Sequence, residues 1–428
     1  MTNQPHSSMT KSDLVFLAER RRYRTIGSVM ILMAILSVVL FARGMDPQLV
    51  STFALKSPGL VETEIADLVL PSHLSIIVLS SVNTLLGIYQ LVKSFGKRSN
   101  MVLGLSILMW VFSFMIWATA GKSTNLTGML RLSVVQAIPL IFGALSGIMS
   151  ERAGVVNIAI EGLMLISAMV GVIVSSATGN IHLGLLAALV ASGLTALLHA
   201  ILSIHYKVDQ IISGMVINIF ATGITSYIGI KFLIDFPNLN LSALYPNFAI
   251  PVLSQIPILG SIFFNQNIFF YLAFFMLVLM QFVLFRTPWG LRTRMVGEHP
   301  RAADTLGINV HRKRYVAVIL SGILAGFGGA YLTLGAVGRF NRLMTAGRGY
   351  IGLAAMIFGN WNPFGALGAS LIFGFSSSLE SKISILQAPI PSQILGMAPY
   401  LATIIILVGV IGKVTAPAAD GQPYDSEG

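Results

Sequence analysis

The chain is expected to fold as an all-α, polytopic integral membrane bundle of helices. Three observations carry that expectation. Of 428 residues, 55% are hydrophobic and only 10% charged, with mean hydropathy +0.81, whereas soluble domains carry roughly a quarter charged residues. The apolar residues come in runs of about 17–23, the length that crosses a hydrocarbon layer about 30 Å thick. Lys and Arg gather between alternate runs, which marks those loops as cytoplasmic.

In chain order, the polar lead 1–25 carries Lys11, Arg20, Arg21, Arg22 and Arg24. Crossings are expected at 26–42, 73–92 and 100–120, forming an N-terminal region 26–120. The first run is long and lacks a small-residue cleavage site, so it should remain as an anchor. The connection 43–72, with Asp46, Glu62, Glu64 and Asp67, falls outside; Lys93, Lys97 and Arg98 fall inside. Further crossings are expected at 132–149, 155–177, 183–204, 211–232, 268–285, 315–335, 365–380 and 394–412. The run 350–360 is too short to span, and reads as a half-helix continued by the irregular Asn360-Trp361-Asn362-Pro363-Phe364. Such backbone is tolerated only inside protein or beside a cavity. The total is about twelve crossings (10–12), given the usual boundary errors.

Between 232 and 268 the external stretch contains Pro237, Pro246, Pro251 and Pro257, which bar a regular sheet interior. The loop 286–314 is the most basic, with Arg286, Arg292, Arg294, Arg301, Arg312, Lys313 and Arg314. External loops are poorer in Lys and Arg, although Arg339, Arg342 and Arg348 cluster in one. Both termini and the 286–314 loop are thereby assigned to the cytoplasm, in a multi-pass cell-membrane protein. The tail 413–428 is polar and rich in Pro and Gly, and is expected to be disordered.

The net charge of +11 calls for membrane lipid rather than nucleic acid, because basic loop ends meet anionic headgroups. With no cysteine there is no disulfide or metal-thiolate site. No phosphate loop and no H-E-x-x-H metal helix occurs, so neither an ATP site of that kind nor a metal is expected. An enzyme buried in the membrane would need paired acids, a His cluster or a nucleophile–base pair within helices. None is visible, and the chain is not expected to be an enzyme.

The most informative stretch lies in the basic loop: Glu298, His299, Pro300, Arg301, Ala302, Ala303, Asp304, Thr305, Leu306 and Gly307. Pro300 suits the first position of a helix, where its missing N–H has no partner anyway. Gly307 suits the left-handed residue just past the end. Between them Ala302, Ala303 and Leu306 are expected on one side at helical spacing. A capped, half-apolar helix in such a loop needs something to dock on, which makes it a candidate transmission element. Downstream, Gly322 and Gly326 are spaced by four with Ala330, as are Ala325 and Gly329, a pattern that lets helix backbones approach closely.

Polar residues inside crossings are the other candidates. Asn157 and Glu161, four apart, are expected to share a helix face, and an acid inside a membrane helix is a functional-site hypothesis by default. The structural alternative is that Glu161 pairs with Arg152 or caps a neighbouring helix. Asn218 and Gln136 either bond across helices or line a translocation pathway. An ion-coupled secondary transporter is the alternative function. It needs coupling-ion sites at broken helices, and Glu161 is the one acid placed inside a crossing, with Glu380 at an end.

At these residues the chain resembles a known family. Ser150–Met164 (SERAGVVNIAIEGLM), Val296–Ile308 (VGEHPRAADTLGI) and Gly349–Phe364 (GYIGLAAMIFGNWNPF) are similar to ABC importer permeases of the nucleoside and simple-sugar type, related to ribose and branched-chain amino acid permeases. The likeness spans about 130–412. It implies a permease core with a coupling helix at 298–307, working by alternating access. It also implies an ABC ATPase subunit that binds the ATP, a second homologous permease chain and an extracellular lipid-anchored substrate-binding protein. The small-molecule cargo implied is a nucleoside, or else a simple sugar. Residues 1–120 depart from the family pattern.

Overall fold

The computed structural model describes residues 11–56, 65–386, 397 and 415–425. Among these, nine helices are long and apolar enough to cross a membrane. The expected crossing at 394–412 lies outside the described residues.

The N-terminal unit comprises α1 (Lys11–Ser37, prolonged by a π turn through Ala42), α2 (Ser72–Val92) and α3 (Ser99–Ala118). Small and polar residues join these helices. Gly27 and Gly87 face each other across α1 and α2. Ser106 donates to the Asn83 side chain, and Ser99 donates to Gln90 at 3.2 Å. Within hydrocarbon, close backbone approach and interhelical hydrogen bonds replace the hydrophobic drive.

The opposite end from the 286–314 loop carries short strands, a local departure from the all-helical expectation. β1 (Val50–Ala54) pairs antiparallel with β2 (Leu68–Pro71) and parallel with β3 (Ser123–Asn125). β4 (Asn247–Ala249) pairs antiparallel with β5 (Asn265–Asn267). Connections held against a protein surface must satisfy their backbone groups, and ladder pairing does so. The unit meets the remainder where Phe41, Met115 and Ile116 pack with Phe375 and Leu379.

The larger unit follows in order: α4 (Leu126–Glu151), α5 (Ile160–Thr178), α6 (Ile181–Ala200, with a π turn to His205), α7 (Gln210–Lys231), α8 (Leu259–Phe263) and α9 (Ile268–Arg286). The basic loop holds α10 (Pro288–Glu298) and α11 (Pro300–Thr305). Then come α12 (Val310–Ala330, with a π turn to Val337), α13 (Arg348–Phe358) and α14 (Pro363–Ile385). α4 and α12 are the central pair, buried along most of their length. Gly322 and Gly326 of α12 lie against Ser192 and Ala196 of α6, and Gly329 lies against the Met164 carbonyl of α5. Ser192 and Ser167 donate to the Gly322 and Gly326 carbonyls, each at 2.6 Å. The outer faces present apolar side chains such as Leu85, Leu108, Val190 and Ile219, as membrane lipid requires.

One expected crossing is corrected. Residues 152–159 are irregular, and α5 begins only at Ile160. Gly154, at φ +80°, turns the chain at the end of α4. Ile160 then packs against Gly143 and Gly147, so α5 starts part-way along α4 rather than level with its tip. Asn157 therefore shares no helix face with Glu161. The tail is also corrected: residues 415–425 are placed by defined contacts, with Ala419 and Tyr424 buried.

Candidate functional site

Two neighbourhoods gather the chemistry. The first is the basic loop. Thr287 caps α10 by accepting from the Gly290 N–H at 3.2 Å, with Pro288 in the first turn. His299 is extended and turns the chain into α11, where Pro300 holds the first position. α11 ends as its sequence dictates. Gly307 is left-handed at φ +77°, and the Ile308 N–H returns to the Ala303 carbonyl at 3.1 Å. Such a left-handed cap satisfies carbonyls that a helix end would leave open.

The apolar residues of α11 do not share one side, contrary to expectation. Ala303 is fully buried with Val296, Val310 and Tyr424, while Ala302 is exposed and Leu306 is 69% exposed. Ala302 and Leu306, four apart, face outward together, and Ala303, one position further round the helix, faces the protein. Glu298, Arg301 and Thr305 are also exposed. Asp304 is half-buried and accepts from the Tyr424 hydroxyl at 2.6 Å.

This loop is pressed onto the end of α4. A side chain at Gly297 would strike the Arg152 carbonyl. Arg152 does not pair with Glu161; its guanidinium donates to the Trp361 carbonyl at 3.1 and 3.0 Å and to that of Asn360 at 3.3 Å. Those two carbonyls are available because Asn360 and Trp361 are both left-handed, at φ +53° and +51°. The Trp361 indole N–H donates to Glu151 Oε2 at 2.6 Å.

The second neighbourhood lies inside the bundle, at the recessed start of α5. Glu161 is in the first turn of α5, and its two oxygens accept from the N–H groups of Gly347 and Gly349 at 2.8 and 2.7 Å. It thus caps α13, a carboxylate at the positive end of a short helix. Arg348 donates to the Met344 and Thr345 carbonyls at 3.1 and 3.2 Å, and to Gln136 Oε1 at 3.4 Å. Asn218 accepts from the Gly162 N–H at 2.7 Å and donates to the Ile158 carbonyl at 2.8 Å and to Tyr350 Oη at 3.0 Å.

Gln136, Glu161 and Asn218 are therefore brought together around Arg348 and Tyr350. Asn157 is not among them. It is fully buried, donates to Ser321 Oγ at 2.8 Å and accepts from the Ala159 N–H at 3.0 Å. His199 supports the same irregular segment, bonding the Val156 carbonyl and Ser213 Oγ at 3.0 Å each. Sequence reasoning missed Arg348 and Tyr350. The glycines on either side of Arg348, which free backbone N–H groups for a carboxylate, were the available signal. Near the opposite end, a cavity of about 590 Å³ is lined by Asn125, Arg131, Asn247, Gln266, Tyr331 and Lys382. Among the described residues no group of three or more His, Asp or Glu is placed to hold a metal ion.

Comparison with known proteins decides the family. The model of the branched-chain amino acid transport system permease component matches residues 129–411. The chain belongs to this family. Among curated relatives, this permease is 43% identical over 302 residues to the guanosine ABC transporter permease NupQ of Bacillus subtilis, covering 68% of the chain and 94% of NupQ. It is 40% identical over 301 residues to the nucleoside ABC transporter permease NupC of Lactococcus lactis, again 68% of the chain and 94% of NupC. A putative glucose ABC transporter permease of Haloferax volcanii, TsgC13, is 32% identical over 331 residues, 70% of the chain and 98% of TsgC13. No solved structure matches. The permease is a multi-pass membrane component of an ABC transporter complex with other subunits, and not an enzyme. That membership sets aside the ion-coupled carrier.

Proposed function

We propose that this chain is one of two homologous permease subunits of an importer that moves nucleosides across the cell membrane. The observation that carries the substrate is the identity of 43% and 40% to a guanosine and a nucleoside permease over about two-thirds of the chain. A simple sugar is the second reading, favoured by the 32% identity to a putative glucose permease. Both termini and the basic loop face the cytoplasm, in keeping with the charge of that loop. An ATPase subunit binds the ATP, and an extracellular lipid-anchored protein delivers the cargo.

The coupling element is Glu298–Gly307, whose exposed Ala302 and Leu306 fit a groove of the ATPase. Leu306 supplies apolar area that an isolated loop gains nothing by exposing. The pathway passes the cluster of Gln136, Glu161, Asn218, Arg348 and Tyr350. A half-helix N-terminus recessed into the bundle is where transporters place polar cargo. Asn157 acts behind this wall, holding the irregular segment in place.

The test is uptake of labelled guanosine, adenosine and glucose into vesicles containing this chain and the products of its genomic neighbours. ATP-dependent nucleoside uptake is expected, lost in Leu306→Asp. Uptake driven by a proton gradient without any ATPase would sink the proposal. ATP-driven uptake of glucose alone would keep the machine and change the cargo.

A further inference from the structure

At the end of the molecule opposite the basic loop, the cavity of about 590 Å³ is walled by the start of α4, by β5, by the π turn that closes α12 and by the last turns of α14. Its lining carries two cations, Arg131 of α4 and Lys382 of α14, and no carboxylate. A guanidinium has five N–H donors, and among the described residues Arg131 uses one, on the Asn265 carbonyl at 3.3 Å. The Lys382 ammonium bonds nothing among them. Acceptors are scarcer. Gln266, 3% exposed, donates from its amide nitrogen to the Ser261 and Ile262 carbonyls at 3.5 and 2.7 Å, and its oxygen bonds nothing among the described residues. Tyr331, buried as deeply, donates to the Val135 carbonyl at 3.2 Å and keeps an acceptor lone pair.

Two further features bear on this cavity. Tyr331–Val337 is a π turn, a local unwinding that recurs at functional sites, and a side chain at Gly335 would strike the Tyr331 ring. Arg131, Leu132 and Val135 lie on one face of α4. That face continues to Gln136, one turn beyond Leu132, where the Arg348 guanidinium is bonded at 3.4 Å. The cavity and the inner polar cluster are thus successive places along one helix. We propose that the cavity is the outer loading site of the pathway. It takes nucleosides rich in acceptor atoms, such as guanosine, inosine and uridine, ahead of adenosine, and it repels cationic solutes. The cargo rests on the nucleoside-importer reading above; the repulsion of cations does not.

Donors without partners select a ligand that accepts. The 6-oxo group and N7 of guanine or hypoxanthine form a two-acceptor edge that an arginine fork bonds in parallel. Uridine offers its two base carbonyls. Adenine carries an amino group where guanine has the oxo group, so a donor there meets the donors of Arg131 or Lys382. Ribose hydroxyls can donate to Gln266 Oε1 and Tyr331 Oη, the acceptors the wall supplies. A cationic solute meets two like charges with no lining carboxylate to offset them. In a recess partly shielded from water, that repulsion lowers its occupancy by about tenfold.

The chain has no cysteine, so Leu132→Cys gives it a single thiol, in the cavity wall. The complete transporter, purified in detergent so that both faces are open, is labelled with two methanethiosulfonates of similar size, one bearing a sulfonate and one a trimethylammonium group. Each rate is divided by that with a free thiol, and their ratio cancels any change in the ionisation of the cysteine itself. The anionic reagent is expected to be favoured about tenfold, falling toward parity in the double variant Arg131→Gln/Lys382→Gln. Guanosine, inosine and uridine are expected to slow labelling severalfold and adenosine less, a protection that the double variant loses. Ala336→Cys, on the α12 wall, reads the same cavity should Leu132→Cys fail to fold. Equal corrected rates for the two reagents overturn the charge selection. Absence of protection in an assembly that imports nucleosides overturns the loading site alone. Protection by adenosine equal to that by guanosine overturns the acceptor preference. ATP-driven uptake of glucose and of no nucleoside overturns the cargo reading and the loading site with it, while the reagent ratio still decides the charge selection.

Discussion

Glu161 shows how one residue ties two elements together. Both its oxygens are used by backbone N–H groups at the start of α13, which would otherwise be unsatisfied inside the bundle. Glu161→Ala is expected to cost about 1–2 kcal/mol, the usual loss for a helix cap, read as a lower melting temperature of the purified chain. Glu161→Gln, which keeps one acceptor oxygen, should lose less. The glycines of the central helices make a sharper contrast. Gly329→Ala places a methyl group against the Met164 carbonyl, whereas a methyl at Gly223 meets nothing within 4 Å. The first substitution is expected to destabilise by about 1–3 kcal/mol, as overpacking does. The second should be neutral or slightly stabilising, since alanine favours helix. Equal melting temperatures for the pair would contradict the packing described for α12.

At the scale of elements, the ends of α11 were legible because cap chemistry is local. Pro300 and Gly307 mark the helix in the sequence and hold those positions in the structure. Its sidedness was not legible. Six residues give too short a period to say which apolar side chain meets protein, and Tyr424, the partner of Ala303, lies 121 residues further along the chain. The start of α5 failed for a different reason. Val155, Val156, Ile158, Ala159 and Ile160 read as an apolar run interrupted only by Asn157, and hydropathy records burial without distinguishing helix from irregular backbone. The turn is fixed by side chains from distant helices, His199, Gln210 and Ser321 among them. α11 offers a direct test. Leu306→Asp changes an exposed position and is expected to leave the melting temperature unchanged while abolishing copurification with the ATPase. Ala303→Leu forces bulk into a filled site and is expected to destabilise the loop by about 1–3 kcal/mol, seen as faster proteolysis within 286–314.

At the scale of the whole molecule, run length placed in order the nine membrane-length apolar helices found among the described residues, while the crossing expected at 365–380 falls on α14, which is not among the nine. The unit before α4 has no counterpart in the family match, which begins at residue 129. With 94% of NupQ already within its match, that relative lacks the residues for three more helices. The unit covers apolar surface on α14 at Phe375, Leu379 and Ile383. A chain beginning near residue 120 is therefore expected to fold and to remain monodisperse in detergent, with a lower melting temperature than the full chain. Failure of the shortened chain to insert would make the extra helices part of the folding core.

The close approach of α12 to α5 and α6 has a mechanical corollary. Backbones that meet through glycine have no layer of side chains between them to act as a lubricant. Sliding α12 by one residue along α5 would bring the Ala330 methyl or the Gly328 carbonyl onto the Met164 oxygen now faced by Gly329. These three helices are expected to move as one keel-like piece. In the transport cycle proposed above, the shear between an open and a closed side is expected at joints other than these glycine contacts.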